Sequence, residues 1–190
     1  MKTRICILAS LVIMMVTLQG CFPVVAAGVG TGVMMAQDRR SNETFFQDQR
    51  IESRVSGLIA NEFKGVMHIN VTSFNLGVLL TGEVPEEYTR AEISKLVARV
   101  EMVRSVNNEL AISANSSLVS RSNDSLITSN VKLRFLKNDR FNAEHVKVVT
   151  ENGMVFLLGI VSHAEADAAA EIASTTSGVK RVVKLFEYLD

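Results

Sequence analysis

The stretch HVKVVTENGMVFLLGIV, residues 145–161, decides the fold because the chain contains it twice. The other copy is HINVTSFNLGVLLTGEV, residues 68–84, and a shift of 77 positions (145 minus 68) superimposes the two. The identical pairs include His68/His145, Val71/Val148, Asn75/Asn152, Val78/Val155, Gly82/Gly159 and Val84/Val161. An internal repeat of this length indicates two copies of one structural unit.

Each copy is predicted to form a β-hairpin. Residues 146–151 alternate between apolar and polar side chains, which is typical of a strand with one buried face. Asn152 and Gly153 then supply the positive φ angles of a tight two-residue turn. The return strand, 155–161, is apolar enough to be covered on both faces. Gly82 and Gly159 interrupt the two return strands at the same place and indicate a bulge or a close backbone approach.

The segments around the hairpins predict two α+β units with the same order: helix, strand, strand, helix, strand. In the first unit, 48–112, apolar residues recur at helical spacing from Asp48, and Pro85 suits the first turn of a second helix. The linker, 113–123, is rich in Ser and Asn. In the second unit, 124–190, Asp124 is expected to cap the first helix. Each unit would pack two helices on a small mixed three-stranded sheet.

The N-terminus predicts a secreted protein with a lipid anchor. Residues 1–20 have the basic start and short apolar core of a signal peptide. They end in Leu18-Gln19-Gly20-Cys21, which resembles a bacterial lipobox, so that Cys21 would carry the acyl chains, palmitate among them. The alternative is an ordinary secretory signal with a nearby cysteine. Residues 21–47 are predicted to be a flexible tether, and the loss of Cys6 with the signal leaves no pair of thiols.

The repeated pattern resembles the BON domain over most of the chain after the tether. In the second unit the resemblance is carried by Val148, Asn152, Gly153, Val155, Leu157, Gly159, Val161, Gly178, Val179 and Val182. The first unit departs from the pattern because Leu76 stands where the turn glycine is expected. A lipobox with two BON domains is similar to a class of outer-membrane lipoproteins of Gram-negative bacteria. The resemblance implies binding of anionic phospholipid (phosphatidylglycerol or cardiolipin type) through the first helix of the second domain. It also implies a role in outer-membrane integrity, at division sites.

One face of that helix fits a lipid surface. Apolar and cationic side chains recur there on a different side from the predicted core residues Ile127, Val131 and Phe135, and basic residues outnumber acidic ones. Exposed apolar groups flanked by lysine and arginine suit an anionic headgroup layer. The predicted phospholipid-binding residues are Leu126, Ser129, Asn130, Leu133, Arg134 and Lys137. The alternative interpretation packs this face against the first domain.

Other function classes have little support in the sequence. The 20 basic and 20 acidic residues balance, which argues against nucleic-acid binding through a broad basic surface. The histidines lack metal-binding or catalytic spacing, so no catalytic residue, metal site or cofactor is predicted. The competing hypothesis is a periplasmic protein-interaction module that binds outer-membrane assembly or cell-wall remodelling machinery, with a sheet edge accepting a partner strand.

Overall fold

Both copies of the repeat fold as antiparallel hairpins. The computed structural model describes residues 38–63 and 67–190. Strands β1 (His68–Phe74) and β2 (Gly77–Val84) form the first hairpin, and β4 (Val146–Glu151) and β5 (Met154–Val161) form the second. Both turns have two residues with positive φ, 49° and 66° at Asn75 and Leu76 and 51° and 76° at Asn152 and Gly153. Leu76 therefore adopts the conformation that glycine adopts in the other copy.

The remaining elements complete the predicted order. Strand β3 (Ser105–Ile112) pairs in parallel with β2, and β6 (Arg181–Tyr188) pairs in parallel with β5. The sheets therefore have the orders β1-β2-β3 and β4-β5-β6. The helices are α1 (Asn42–Glu62), α2 (Glu87–Ala98), α3 (Leu118–Leu136) and α4 (His163–Ser174), with a short 3-10 turn at Ala143–His145. The predicted α+β fold is confirmed.

The close approach predicted at the two glycines is present. A Cβ on Gly82 would lie 1.9 Å from the carbonyl oxygen of His68, and one on Gly159 would lie 2.4 Å from that of His145. Gly82 also has a φ of 118°, which side-chain-bearing residues rarely adopt. A side chain at Gly82 would push β1 away from β2, and a side chain at Gly159 would push the turn before β4 away from β5.

The central strands are buried on both faces, as predicted. One face of each sheet packs against its own two helices, around Ile51, Val55 and Leu80 in the first domain (α1 to β3). The second domain (α3 to β6) has the corresponding core around Val131 and Leu157. The opposite faces meet each other, because Leu79 of β2 forms a separate buried cluster with Phe156 and Leu158 of β5.

Polar contacts surround this cluster between the domains. Lys147 pairs with Glu52 at 3.0 Å, and the amide of Asn75 donates to both carboxylate oxygens of Glu187 at 3.0 Å. Arg39, which precedes α1, donates to both oxygens of Glu165 at 2.7 and 2.9 Å. These hydrogen bonds lower the pKa of Glu165 to about 2.

Helices α1 and α3 both begin earlier than predicted. Ser41 caps α1 by accepting a hydrogen bond from the amide of Thr44, so the helix starts at Asn42 rather than at Asp48. Ser117 caps α3 in the same way through Ser120, so α3 begins inside the predicted linker. Helix α4 begins with a capping box formed by Ser162 and Glu165. The predicted signal peptide, Cys21 and the tether up to residue 37 lie outside the described residues.

Asp124 does not cap α3, so that prediction was wrong. It lies within the helix, 5% exposed, and accepts hydrogen bonds from the turn amides of Asn152 and Gly153 at 2.8 Å each. Asp48 of α1 binds the first turn in the same way, through the amides of Asn75 and Leu76 at 2.8 Å. A buried carboxylate thus holds each hairpin turn against its first helix, because amides that face a protein interior need an acceptor.

Candidate phospholipid-binding surface and interdomain cluster

Helix α3 is oriented by one buried stripe. Ile127, Val131 and Phe135 are at most 2% exposed and pack on the second sheet. Since an α-helix turns about 100° per residue, the side chains on the opposite side of the helix from this stripe, among them Leu126 and Leu133, point away from the core. The side chains on that opposite side are therefore the ones through which α3 can bind a membrane or a partner.

The side of α3 that points away from the core is apolar. Leu126 and Leu133, both predicted binding residues, are 64% and 53% exposed. Three further residues that the sequence analysis missed are even more exposed: Leu118, Val119 and Leu136, at 78%, 79% and 65%. These five residues, here called the outer face of α3, span about 27 Å along the helix at 1.5 Å per residue. Among the described residues, no element buries this face, so packing against the first domain is not observed.

The polar residues predicted for the site divide into two groups. Ser129, Asn130 and Lys137 are exposed beside the outer face. Arg134 is partly buried and turns the other way, donating to the carbonyl of Ile172 at 2.8 Å and to the hydroxyls of Thr175 and Thr176. Its guanidinium therefore holds the C-terminal end of α4, where unpaired carbonyls attract a cation.

Other basic residues supply positive charge beside the outer face. Lys132 and Lys137 are exposed, and in the described part of the chain neither has an acidic partner within 4.0 Å. Arg140, just beyond the helix, pairs with Glu171 at 2.8 Å. The outer face is thus apolar along its length, with two uncommitted lysines at its C-terminal half.

The histidines have separate surroundings. His163 is stacked on Tyr188 and pairs with Asp190 at 3.0 Å. The Nδ1 atom of His145 is buried without a hydrogen-bond partner, 3.6 Å from a carboxylate oxygen of Glu165. His68 lies between the domains, where its Nε2 atom is 3.7 Å from Glu151. No sequence spacing pointed to this last contact, because its residues come from different domains.

None of the helices described here is both long and apolar enough to cross a membrane. The outer face of α3 covers only one side of a helix whose other side belongs to a protein core. Such a helix can lie on a bilayer surface with its apolar side in the headgroup region.

The chain matches the family model of the BON domain twice, over residues 47–114 and 123–190. It is 40% identical over 175 residues to "Outer membrane lipoprotein DolP" of Haemophilus influenzae, which covers 91% of both chains. It is 38% identical to "21 kDa hemolysin" of Actinobacillus pleuropneumoniae, covering 80% of this chain and 79% of that protein. Identity to "Osmotically-inducible protein Y" of Escherichia coli is 32%, covering 73% of this chain and 71% of that protein.

Proposed function

Because the chain belongs to the BON-domain family, we propose that it is a lipid-anchored outer-membrane protein that binds anionic phospholipid through the outer face of α3. Cys21 carries the anchor, and the folded domains lie on the periplasmic side. The relationship to a DolP lipoprotein along 91% of the chain supports the location. BON domains and these lipoproteins are not enzyme families, which agrees with a binding role.

The exposure of the outer face of α3 is the observation that carries the lipid-binding proposal. Five large apolar side chains on one helix face, each more than half exposed, leave a strip that water solvates poorly. Insertion of this strip among lipid headgroups removes it from water, and partial burial of each leucine contributes about 1 kcal/mol.

The neighbouring lysines support a preference for anionic lipid. Lys132 and Lys137 are free to approach phosphate groups, and each cation near an anionic surface contributes about 1 kcal/mol. Arg134 contributes less to binding than predicted, since its hydrogen bonds to α4 occupy its guanidinium. The total is a modest affinity that suits a protein already held at the membrane by acyl chains.

A vesicle-binding experiment tests the proposal without the anchor. Residues 22–190 are mixed with vesicles of phosphatidylglycerol or of phosphatidylcholine at low and high salt, and bound protein is separated by flotation. We expect binding to phosphatidylglycerol that weakens with salt. Leu126→Glu with Leu133→Glu should reduce it by more than about 100-fold, since the pair loses apolar burial and gains two repelled charges.

The first domain provides a matched control. Arg50 and Gly57 occupy the positions in α1 that correspond to Leu126 and Leu133, 76 residues apart (126 minus 50, and 133 minus 57). Arg50→Gln with Gly57→Glu makes the net charge more negative by two, as the α3 pair does, and should leave most of the binding intact. Equal losses from the two pairs would show that net charge governs binding rather than the outer face of α3.

The competing hypothesis, a protein-interaction module, predicts a different result. Vesicles of neither composition would bind, and membrane attachment would then depend on Cys21 alone.

We also propose a role in outer-membrane integrity at division sites, which is based on the resemblance to outer-membrane lipoproteins with two BON domains. A fluorescent fusion carrying Leu126→Glu and Leu133→Glu should lose enrichment at division sites while staying in the outer membrane, if phospholipid directs it there.

A further inference from the structure

Two buried carboxylates and one imidazole meet at the junction of the domains. Glu83 of β2 is 3% exposed and Glu151 of β4 is 5% exposed. His68 of β1 completes the cluster, with a side chain that is 17% exposed. One potential ligand atom from each residue lies within 4.8 Å of the other two.

The negative charge of this cluster is poorly balanced. The backbone amide of Ser116 donates to Glu83 at 3.1 Å, and the side-chain amide of Asn70 donates to Glu151 at 2.9 Å. Both donors are neutral amides and do not offset the charge of the carboxylates. Within residues 38–63 and 67–190, no lysine or arginine forms an ion pair of 4.0 Å or less with either carboxylate. Buried carboxylates this close together are costly unless a cation lies between or beside them.

A solvent cleft gives access to the cluster. His68 and Glu151 line an open cleft of about 480 Å³, together with Asn70, Thr150 and Arg121. Arg121 donates to the hydroxyl and carbonyl oxygens of Ser116 at 3.3 and 3.1 Å, and within the described residues it forms no ion pair of 4.0 Å or less with Glu83 or Glu151. An ion and its remaining water ligands can therefore enter from the cleft.

We propose that His68, Glu83 and Glu151 bind a divalent transition-metal ion, for which Zn²⁺ is the best match. One imidazole nitrogen with carboxylate oxygens is a ligand set that Zn²⁺ accepts, with water in the open position. Bonds of about 2.0–2.2 Å place ligand atoms about 3–3.5 Å apart, so the side chains close in by about 1–2 Å. The ion joins β1 and β2 of the first domain to β4 of the second.

The repeat has no second copy of this site. Under the shift of 77 positions, Ile160 corresponds to Glu83 and Phe74 corresponds to Glu151. His145 corresponds to His68 but faces Glu165, which Arg39 already neutralises. The proposal therefore predicts one ion for each chain, and it predicts that the ion is bound at His68 rather than at His145.

Metal binding to the full-length lipidated protein in detergent micelles tests the proposal. Zn²⁺ affinity and stoichiometry are measured by competition with a chromophoric chelator. We expect one equivalent per chain, and Glu83→Gln or Glu151→Gln should each raise Kd by at least about 100-fold, because even changes outside the ligand set commonly cost 10–100-fold. Glu187→Gln, which alters another carboxylate between the domains, should leave Kd within about threefold of the wild-type value.

A second measurement does not depend on how the variants fold. Mn²⁺ broadens the NMR signals of nearby nuclei in the wild-type protein, and we expect broadening at His68, Glu83 and Glu151. The imidazole signals of His145 and His163 should remain sharp. Absence of saturable Zn²⁺ binding, unchanged affinity in both glutamine variants, or broadening centred on His163 would each overturn the proposal.

Discussion

Helices α1 and α3 occupy the same place in their domains and can be compared residue by residue. Their inner faces are alike, with Asp48, Ile51 and Val55 of α1 matching Asp124, Ile127 and Val131 of α3. Their outer faces differ, since Arg50 and Gly57 of α1 stand where α3 has Leu126 and Leu133. Duplication has thus preserved the residues that hold the fold, whereas the solvent-facing residues have diverged. The outer face is where a difference in function between the domains should be sought.

The largest predicted effect concerns the shared inner face. Asp124→Ala should lower the free energy of unfolding by about 3 kcal/mol, because two turn amides lose a charged acceptor and that of Gly153 stays buried. Asp48→Ala should cost at least as much, since Arg40 also loses a partner at 2.8 Å. Urea unfolding measures both values, and Asp139→Ala, at an exposed site after α3, is the control. A loss below about 1 kcal/mol for either aspartate would mean that the turn is held by other contacts.

The sequence predicted those parts of the fold that depend on local pattern. Strand alternation and the Asn-Gly turn were sufficient for the second hairpin, and the internal repeat extended the prediction to the first. Helical spacing identified Leu126 and Leu133 as a separate stripe. Ser117 was missed because its segment contains many serines and asparagines, any of which can cap a helix. Leu118 and Val119 were consequently placed in the linker and were not recognised as part of the outer face.

The contacts that the sequence did not predict join residues that are distant in the chain. Asp124 binds a turn 28 residues further on (152 minus 124), and Arg134 binds the end of α4. The cluster of His68, Glu83 and Glu151 needs three strands from two domains. Periodicity identifies which side of an element is buried, but it does not identify the neighbour that covers it.

Placing leucines on the outer face of α1 tests whether side-chain composition alone accounts for the difference between the two helices. In a chain that carries Leu126→Glu and Leu133→Glu, we expect Arg50→Leu with Gly57→Leu to restore vesicle binding by about tenfold, or about 1.4 kcal/mol. Space is available at residue 57, since an added Cβ would meet no atom within 4 Å. Flotation with phosphatidylglycerol vesicles measures the gain. If no binding returns, the position of α3 in the molecule is required as well as its composition.

The residues that precede the two helices also differ, and this difference predicts a pH dependence. Arg39, which precedes α1, lowers the pKa of the Glu165 carboxyl from 4.5 to about 2. The segment that precedes α3 is instead the short connection from β3. Because the pKa is lowered in the folded state, the contact stabilises the protein fully above pH 4.5, and this stabilisation is lost as the pH falls towards 2. Arg39→Gln should therefore cost about 1 kcal/mol at neutral pH and almost nothing near pH 2. Urea unfolding across this range measures the difference, and a constant difference would contradict the assignment.

The smallest predicted effect tests whether the outer face of α1 tolerates a side chain at Gly57. Gly57 lies inside the helix with open space around it and without a positive φ. Gly57→Ala should therefore raise the free energy of unfolding by about 0.8 kcal/mol, which is the helix propensity gained. Gly82→Ala is the opposite control, because its Cβ would lie 1.9 Å from a carbonyl oxygen and the domain should be strongly destabilised. If Gly57→Ala destabilised the protein instead, a close contact at this face, absent from the described structure, would have to explain why glycine stands where α3 has leucine.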